Sequence, residues 1–262
     1  MKIYNAFGIK PTNTFVSAGT DYYIPNLDTP EKVERAYKAF EKSYGKTKEQ
    51  IEEIIENFKI ILIKHQTTIK NPEKHIANLV HLYLAHYNAK LNDLKKLNIY
   101  DSIFNFVYQF VIYDEKRDVV GIRVKLNDTL FINSGIKIAL DTVLSDQTAP
   151  NPQDAVNKLR MLGIGVAGLY VNKSGMGNKG WDVRACLVDE DYSGFVHLSM
   201  SYTKDLIEDS QNIIYCGDKL TQMMLIPVFH TVYEEVEEYD YNKIMNGSMR
   251  GDSGFGSSDI KH

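Results

Sequence analysis

The run from Asn172 to Gly180, Asn-Lys-Ser-Gly-Met-Gly-Asn-Lys-Gly, sets a cation (Lys173), a hydroxyl (Ser174) and several unhindered backbone N–H groups in one turn. Such a nest suits phosphate oxygens, and a charged donor strengthens each bond. An ordinary polar turn has the same composition, so both readings stand on this segment alone. Asp189-Glu190-Asp191-Tyr192 places three carboxylates and a phenol at a strand end before Gly194, which serves either a general base or a solvated hairpin tip. Arg250 to Ser257 is a flexible arm with one cation and one aromatic ring. It either closes over an anionic planar ligand or stays without order. Two motifs are set aside. Gly163 to Gly168 matches G-x-G-x-x-G, but a helix is predicted before it and a strand after it, the reverse of the dinucleotide-binding order. Arg250-Gly251-Asp252 is an adhesion tripeptide only where an extracellular receptor exists.

The elements that must position these residues change character along the chain. Residues 1 to 25 read as extended. Thr29-Pro30 is an N-cap followed by proline at the first helical position, and Val33, Ala36, Tyr37 and Phe40 form one stripe that Gly45 can end. Thr47 with Gln50 is a capping box, followed by Ile51, Ile54, Ile55, Phe58 and Leu62. Asn71-Pro72 opens a third helix, and an aromatic fourth runs from Ile99 to Tyr113. Four antiparallel helices are the economical reading. From Val119 the period becomes β-like, with short strands at 130–132, 136–140, 168–171, 183–188, 194–200 and 220–228. One short helix is predicted over 153–162. The organisation is therefore a β domain (1–25 and 119–262, with an arm at 245–262) carrying a helical insertion at 26–118. The helices are expected to pack on one another as a bundle beside the β domain.

Composition narrows the classes. The chain has 262 residues, 44% hydrophobic and 24% charged, enough to bury a core without disulfides or a structural metal. A net charge of −4 offers no broad basic surface for duplex nucleic acid. Cys186 and Cys216 are too few for a disulfide framework and fit a reducing compartment. No signal-peptide core is present, and no apolar run approaches the ~20 residues of a membrane span. A soluble, cytoplasmic protein is expected, without membrane or nucleic-acid partners.

In order, the segments resemble the five motifs of the trimeric dUTP pyrophosphatases (dUTPases). Ala18-Gly19-Thr20-Asp21-Tyr22 looks like motif one, Lys173 to Gly177 like motif two, and Asp182 to Gly194 like motif three. Gly217-Asp218-Lys219-Leu220-Thr221-Gln222 resembles motif four, and Arg250 to Ser258 motif five. Ser134-Gly135-Ile136 fits the family's strand into the fold centre. The resemblance implies a mainly β, jelly-roll subunit and a homotrimer. Three shared sites would each take motifs one, two and four from one chain, motif three from a second and the arm from a third. It implies Mg²⁺-dependent hydrolysis of dUTP to dUMP and pyrophosphate.

The implied roles follow residue by residue. Asp189 would activate the water that attacks the α-phosphorus. Tyr192 would lie against the deoxyribose and exclude a 2′-hydroxyl, while the backbone of Ala185, Cys186 and Leu187 would read the uracil edge. Asp21 would hold Mg²⁺ through water, because that ion dehydrates reluctantly. Ser174, Gly175 and Gln222 would bond phosphate oxygens, with Lys173 and Arg250 offsetting charge. Phe255, with Gly256 and Ser257, would cover the uracil when the arm orders.

This sequence departs from the family pattern in three places. Lys173 stands for arginine and loses the bidentate fork, Cys186 stands for a glycine, and Asp252-Ser253 stands for a more glycine-rich pair. The insertion makes Asp21 and Ser174 153 positions apart, an embellishment that suggests a phage or viral source and a possible protein partner. His75, His81 and His86 lie on one predicted helix at spacings that do not align for a metal, so surface or packing roles are expected. Two alternatives are a dUTPase-fold regulatory protein acting through the insertion and a dCTP deaminase-related enzyme.

Overall fold

The computed structural model describes residues 2–8, 10–12, 19–88, 98–140, 152–204, 211–231 and 234–244. Strands β1 (Lys2–Asn5) and β2 (Thr20–Tyr23) open the chain. Helices α1 (Pro30–Tyr44), α2 (Lys48–Lys64), α3 (Pro72–Asn88) and α4 (Ile99–Gln109) follow. The expected caps form. Thr29 accepts from the Lys32 N–H at 3.4 Å, and Gly45 ends α1 at φ 59°, in the left-handed region. Thr47 and Gln50 bond each other's backbone N–H at 3.0 and 3.3 Å.

Beyond α4 come β3 (Val111–Asp114), β4 (Val119–Arg123), β5 (Thr129–Asn133) and β6 (Ile136–Ala139). Then follow α5 (Pro152–Met161), β7 (Ile164–Asn172) and the short α6 (Ser174–Asn178). Strands β8 (Trp181–Ala185), β9 (Leu187–Val188), β10 (His197–Tyr202), β11 (Ile213–Tyr215) and β12 (Lys219–Phe229) complete the set. Among the described residues all ladders are antiparallel, in the orders β1-β6, β5-β10-β8, β11-β4-β3 and β2-β12-β7-β9. Apart from the β3-β4 pair, the strands that lie side by side are not consecutive in the chain. The C-terminal unit, 230–262, contributes α7 (Glu238–Ile244), which has no buried residue. No described helix is long and apolar enough to cross a membrane.

Two expectations change. The fourth helix stops at Gln109, not Tyr113, because Val111 and Tyr113 pair with Ile122 and Val120 instead. β-Branched and aromatic side chains fit that pleated, half-buried ladder better than another helical turn. The helices also do not pack only on one another. Every residue of α3 from His75 to His86 is buried, as suits a helix sandwiched on both sides. It lies against α1 and α2 and also against β4 and β5. One continuous core holds Leu79, Val80 and Phe106 of the helices together with Ile122, Leu130 and Ile132 of the strands. Polar ties reinforce the seam: the Tyr44 hydroxyl donates to the Phe131 carbonyl at 3.2 Å and accepts from the Asn133 N–H at 3.0 Å. The three α3 histidines take packing roles. His81 stacks on Phe40 with centroids 5.2 Å apart, and buried His75 meets the Asp118 carboxylate at 3.2 Å.

Candidate functional site

Strand β12 organises the site, because β2 pairs along one edge of it and β7 along the other. Gln222 is registered opposite Asp21 of β2 and Val171 of β7, and Thr221 opposite Asn172. Residues 152 positions apart thereby meet: the Lys173 Nζ lies 2.8 Å from one Asp21 carboxylate oxygen. The Lys219 Nζ lies 3.0 Å from the other. The turn feeding Lys219 into β12 is fixed by Asp218, whose carboxylate accepts from the Tyr215 N–H at 2.9 Å and from Arg117 at 2.9 Å. Motif one also needs Gly19. A Cβ there would stand 3.1 Å from the Gln222 Cβ and 3.3 Å from the Met223 carbonyl, so a side chain would push Gln222 aside.

Electrostatics follow from this geometry. The Asp21 side chain is only 14% exposed. Burial pushes its carboxyl up, but the hydrogen bonds and charges of Lys173 and Lys219 outweigh that and hold it below the usual carboxylate range. The hydrogen bond to Asp21 in turn raises Lys219. The result is an ionised oxygen donor between two cations, on a shelf beside Ser174 and Gly175. Those two are exposed and begin α6, the part of a helix whose N–H groups have no intrahelical partner. Asn172 anchors the shelf: its side chain accepts from the Val183 N–H at 3.0 Å and donates to Asp182 at 3.2 Å.

Motif three forms the far end of the same sheet. β9 pairs with β7 at Gly168 and Leu169, and the Cys186 carbonyl accepts from the Tyr170 N–H at 2.6 Å. One lone pair of the carbonyl expected at the uracil edge is therefore already committed. Ala185, registered opposite Ser199 of β10, is exposed, as are Cys186 and Leu187. The three carboxylates of the following loop have different fates. Glu190 is 9% exposed, pairs with Arg160 at 2.6 Å and accepts from the Val166 N–H at 3.1 Å, pinning the loop to α5 and β7. Asp189 and Asp191 are exposed. Tyr192 donates its hydroxyl to the Phe195 carbonyl at 2.8 Å, with its ring where a Cβ on Gly194 would clash. Beside this loop lies a cavity of about 440 Å³ lined by Ile3, Tyr4, Lys137, Asp191 and Tyr192.

A single copy thus joins Asp21, Lys173, Ser174, Gly175 and Gln222 but leaves Asp189 apart from them. Val188 is registered at Gly168, so Asp189 sits about six strand positions from Lys173, or ~20 Å along β7. Arg250, Phe255, Gly256 and Ser257 lie outside the described residues. Lys219, Asn172 and Glu190 fall inside the predicted motifs but carry no predicted role of their own. Lys219 was legible as the charged member of motif four, whereas the anchoring roles of Asn172 and Glu190 depend on strand register.

Among the described residues no three His, Cys, Asp or Glu side chains group to hold a metal. Both Asp21 oxygens are paired, one with Lys173 and one with Lys219, so this carboxylate fits only an ion that keeps its own water and takes its direct ligands from a phosphate.

No family model matches the chain. It is 33% identical over 99 residues to the deoxyuridine 5′-triphosphate nucleotidohydrolase of the gamma-proteobacterium EBAC31A08, covering 37% of this chain and 64% of that protein. The enzyme of that name from Shewanella baltica OS155 is 28% identical over 145 residues, covering 54% of this chain and 80% of the relative. For the first of these relatives the chain therefore spans a little under two thirds of the length. Among solved structures, a dUTPase of Staphylococcus bacteriophage 80alpha superposes with a TM-score of 0.37 at 16% identity, over 57% of this chain and 91% of that one. That overlap is too loose to add weight. In sequence, over part of its length, this chain is similar to the deoxyuridine 5′-triphosphate nucleotidohydrolases.

Proposed function

We propose that the protein hydrolyses dUTP to dUMP and pyrophosphate, in a Mg²⁺-dependent reaction, at sites shared between the subunits of a homotrimer. The observation that carries this is the meeting of motifs one, two and four at Asp21, with Asp189 ~20 Å away along β7. A monomer cannot bring the proposed base to a triphosphate lying on Lys173, Ser174 and Gly175. A second copy can, which is the shared-site arrangement that the motif order implies.

In this reading the Ser174 hydroxyl and the Ser174 and Gly175 N–H groups donate to phosphate oxygens, and Gln222 adds a further donor. Lys173 and Lys219 are already poised at the same carboxylate and turn toward the triphosphate as it binds. Bound Mg²⁺ would neutralise triphosphate charge, with Asp21 as the residue that holds it through water. Asp189 of a neighbouring copy takes a proton from water as its oxygen bonds the α-phosphorus. The bond to the bridging oxygen breaks and pyrophosphate leaves. Tyr192 closes the sugar side, the Ala185–Leu187 backbone reads the base, and the arm with Arg250, Phe255, Gly256 and Ser257 covers the site. Residues 26–118 are an insertion of phage type, able to contact a partner protein, and the setting is a cytoplasm.

The test is pyrophosphate release from dUTP, dCTP, dTTP and UTP with and without Mg²⁺. Turnover of dUTP alone, lost on Mg²⁺ removal and in Asp189→Asn, is expected. Deamination of dCTP, or full activity in Asp189→Asn, overturns the assignment.

A further inference from the structure

A second groove lies away from Asp21, between α1 and the β1-β6 ladder, with a volume of about 430 Å³. Arg35, Lys38 and Lys42 line one side at helical spacings of three and four, so they project along one stripe of α1 over ~10 Å. Lys137 of β6 faces them, registered opposite Tyr4 of β1. The floor is Phe195, 6% exposed, whose ring lies 4.9 Å from the Lys137 Nζ and 6.3 Å from the Tyr4 ring. Tyr4 itself is 57% exposed. Glu34 and Glu41 act on Lys38, and on the strand side Lys137 also lines the neighbouring cavity with Glu190 and Asp191. Glu34 pairs with Lys38 at 2.7 Å where both side chains are over 70% exposed, so water screens that pair and an anion can displace it.

Four cations around an aromatic floor answer a ligand with concentrated negative charge next to a flat ring. We propose that this groove binds a nucleoside triphosphate, with its base on Tyr4 and Phe195 and its phosphates on Arg35, Lys38, Lys42 and Lys137. The stripe of cations is about as long as an extended triphosphate, and the volume falls in the range of small-ligand sites, about 300–1,000 Å³. Base–aromatic stacking and Lys or Arg contacts to phosphate are the two interactions such a ligand requires. The groove is distinct from the Asp21 shelf, shares Tyr4 and Lys137 with the cavity beside the motif-three loop, and joins the helical segment to β1 and β6.

Titration calorimetry with Mg-ATP tests this, because a purine does not fit a site selective for uracil. One ATP per chain is expected. The exposed double variant Lys38→Glu/Lys42→Glu should weaken it by about tenfold or more, the scale of losing two charge-assisted contacts. Pyrophosphate release from dUTP should be unchanged in that variant, and Lys173→Ala should leave ATP binding intact. Lys137→Ala, on the strand side, should weaken ATP as well and serves if the α1 variant does not fold. Absence of ATP binding, or parental affinity retained in both the α1 and the Lys137 variants, overturns the proposal. So does preferential capture of a single-stranded oligonucleotide or of an acidic peptide, since the groove would then belong to a macromolecule.

Discussion

Acid should loosen this protein well before its carboxylates titrate, and His81 is the reason. His81 is fully buried between Phe40, Phe7 and Tyr44, and neither ring nitrogen has a partner in hydrogen-bonding geometry among the described residues. Burial pushes it down from 6.5 to about 3, with His197 adding to the effect and the Asn133 backbone offsetting a little. Burial likewise pushes His197, stacked on Phe131 at 4.3 Å, to about 4. Both folded values lie below the unfolded one, so the unfolded chain binds more protons and stability falls as pH drops below about 6.5. At pH 5 each histidine removes ~2 kcal/mol, from 1.36 kcal/mol for each of 1.5 pH units. Together that is ~4 kcal/mol, a large share of a typical domain's 5–15. Urea unfolding at pH 8, 6.5 and 5 measures it. His81→Phe keeps the stacked ring and removes two unpartnered nitrogens, so it should stay within ~1 kcal/mol of the parent at pH 8 and lose only ~2 kcal/mol by pH 5. A His81→Phe curve running parallel to the parent's between pH 8 and 5 would show that His81 is not held neutral, and the reasoning fails.

Other outcomes follow from the site. Asp21→Asn and Asp189→Asn chains, each nearly inactive alone, should regain about a quarter of parental dUTP turnover when unfolded and refolded together in equal amounts, because each site draws the two residues from different copies. No recovery would refute the shared site. Lys219→Ala should lower dUTP kcat/KM by ~10-fold or more while shifting the melting temperature little, since its pair with Asp21 is half-exposed; Lys219→Arg should restore most of it. Glu190→Gln should destabilise by ~1–3 kcal/mol and reduce kcat with Asp189 intact, by freeing the motif-three loop from Arg160 and Val166. Replacing residues 27–117 by a short linker should give aggregated protein, because Ile122, Leu130 and Ile132 would lose their α3 cover; a soluble, active trimer would show that the strands repack without it.

What the sequence by itself determined is local. Thr29-Pro30, Gly45 and the Thr47–Gln50 box specify where helices start and stop, because caps are satisfied within a few residues. The motif residues were legible because nest, carboxylate loop and Gly-Asp-Lys turn each carry their chemistry in a short run. What only the tertiary structure decided is non-local. Strand register brought Lys219 and Lys173 to one carboxylate and separated Asp189 from them; no single strand's period encodes which residue of β12 faces Asp21. The same holds for α3: its uncharged run from His75 to Asn88 announces burial, but a helix bundle and a helix–sheet sandwich satisfy that demand equally, and only the packing of β4 and β5 against it selected the sandwich.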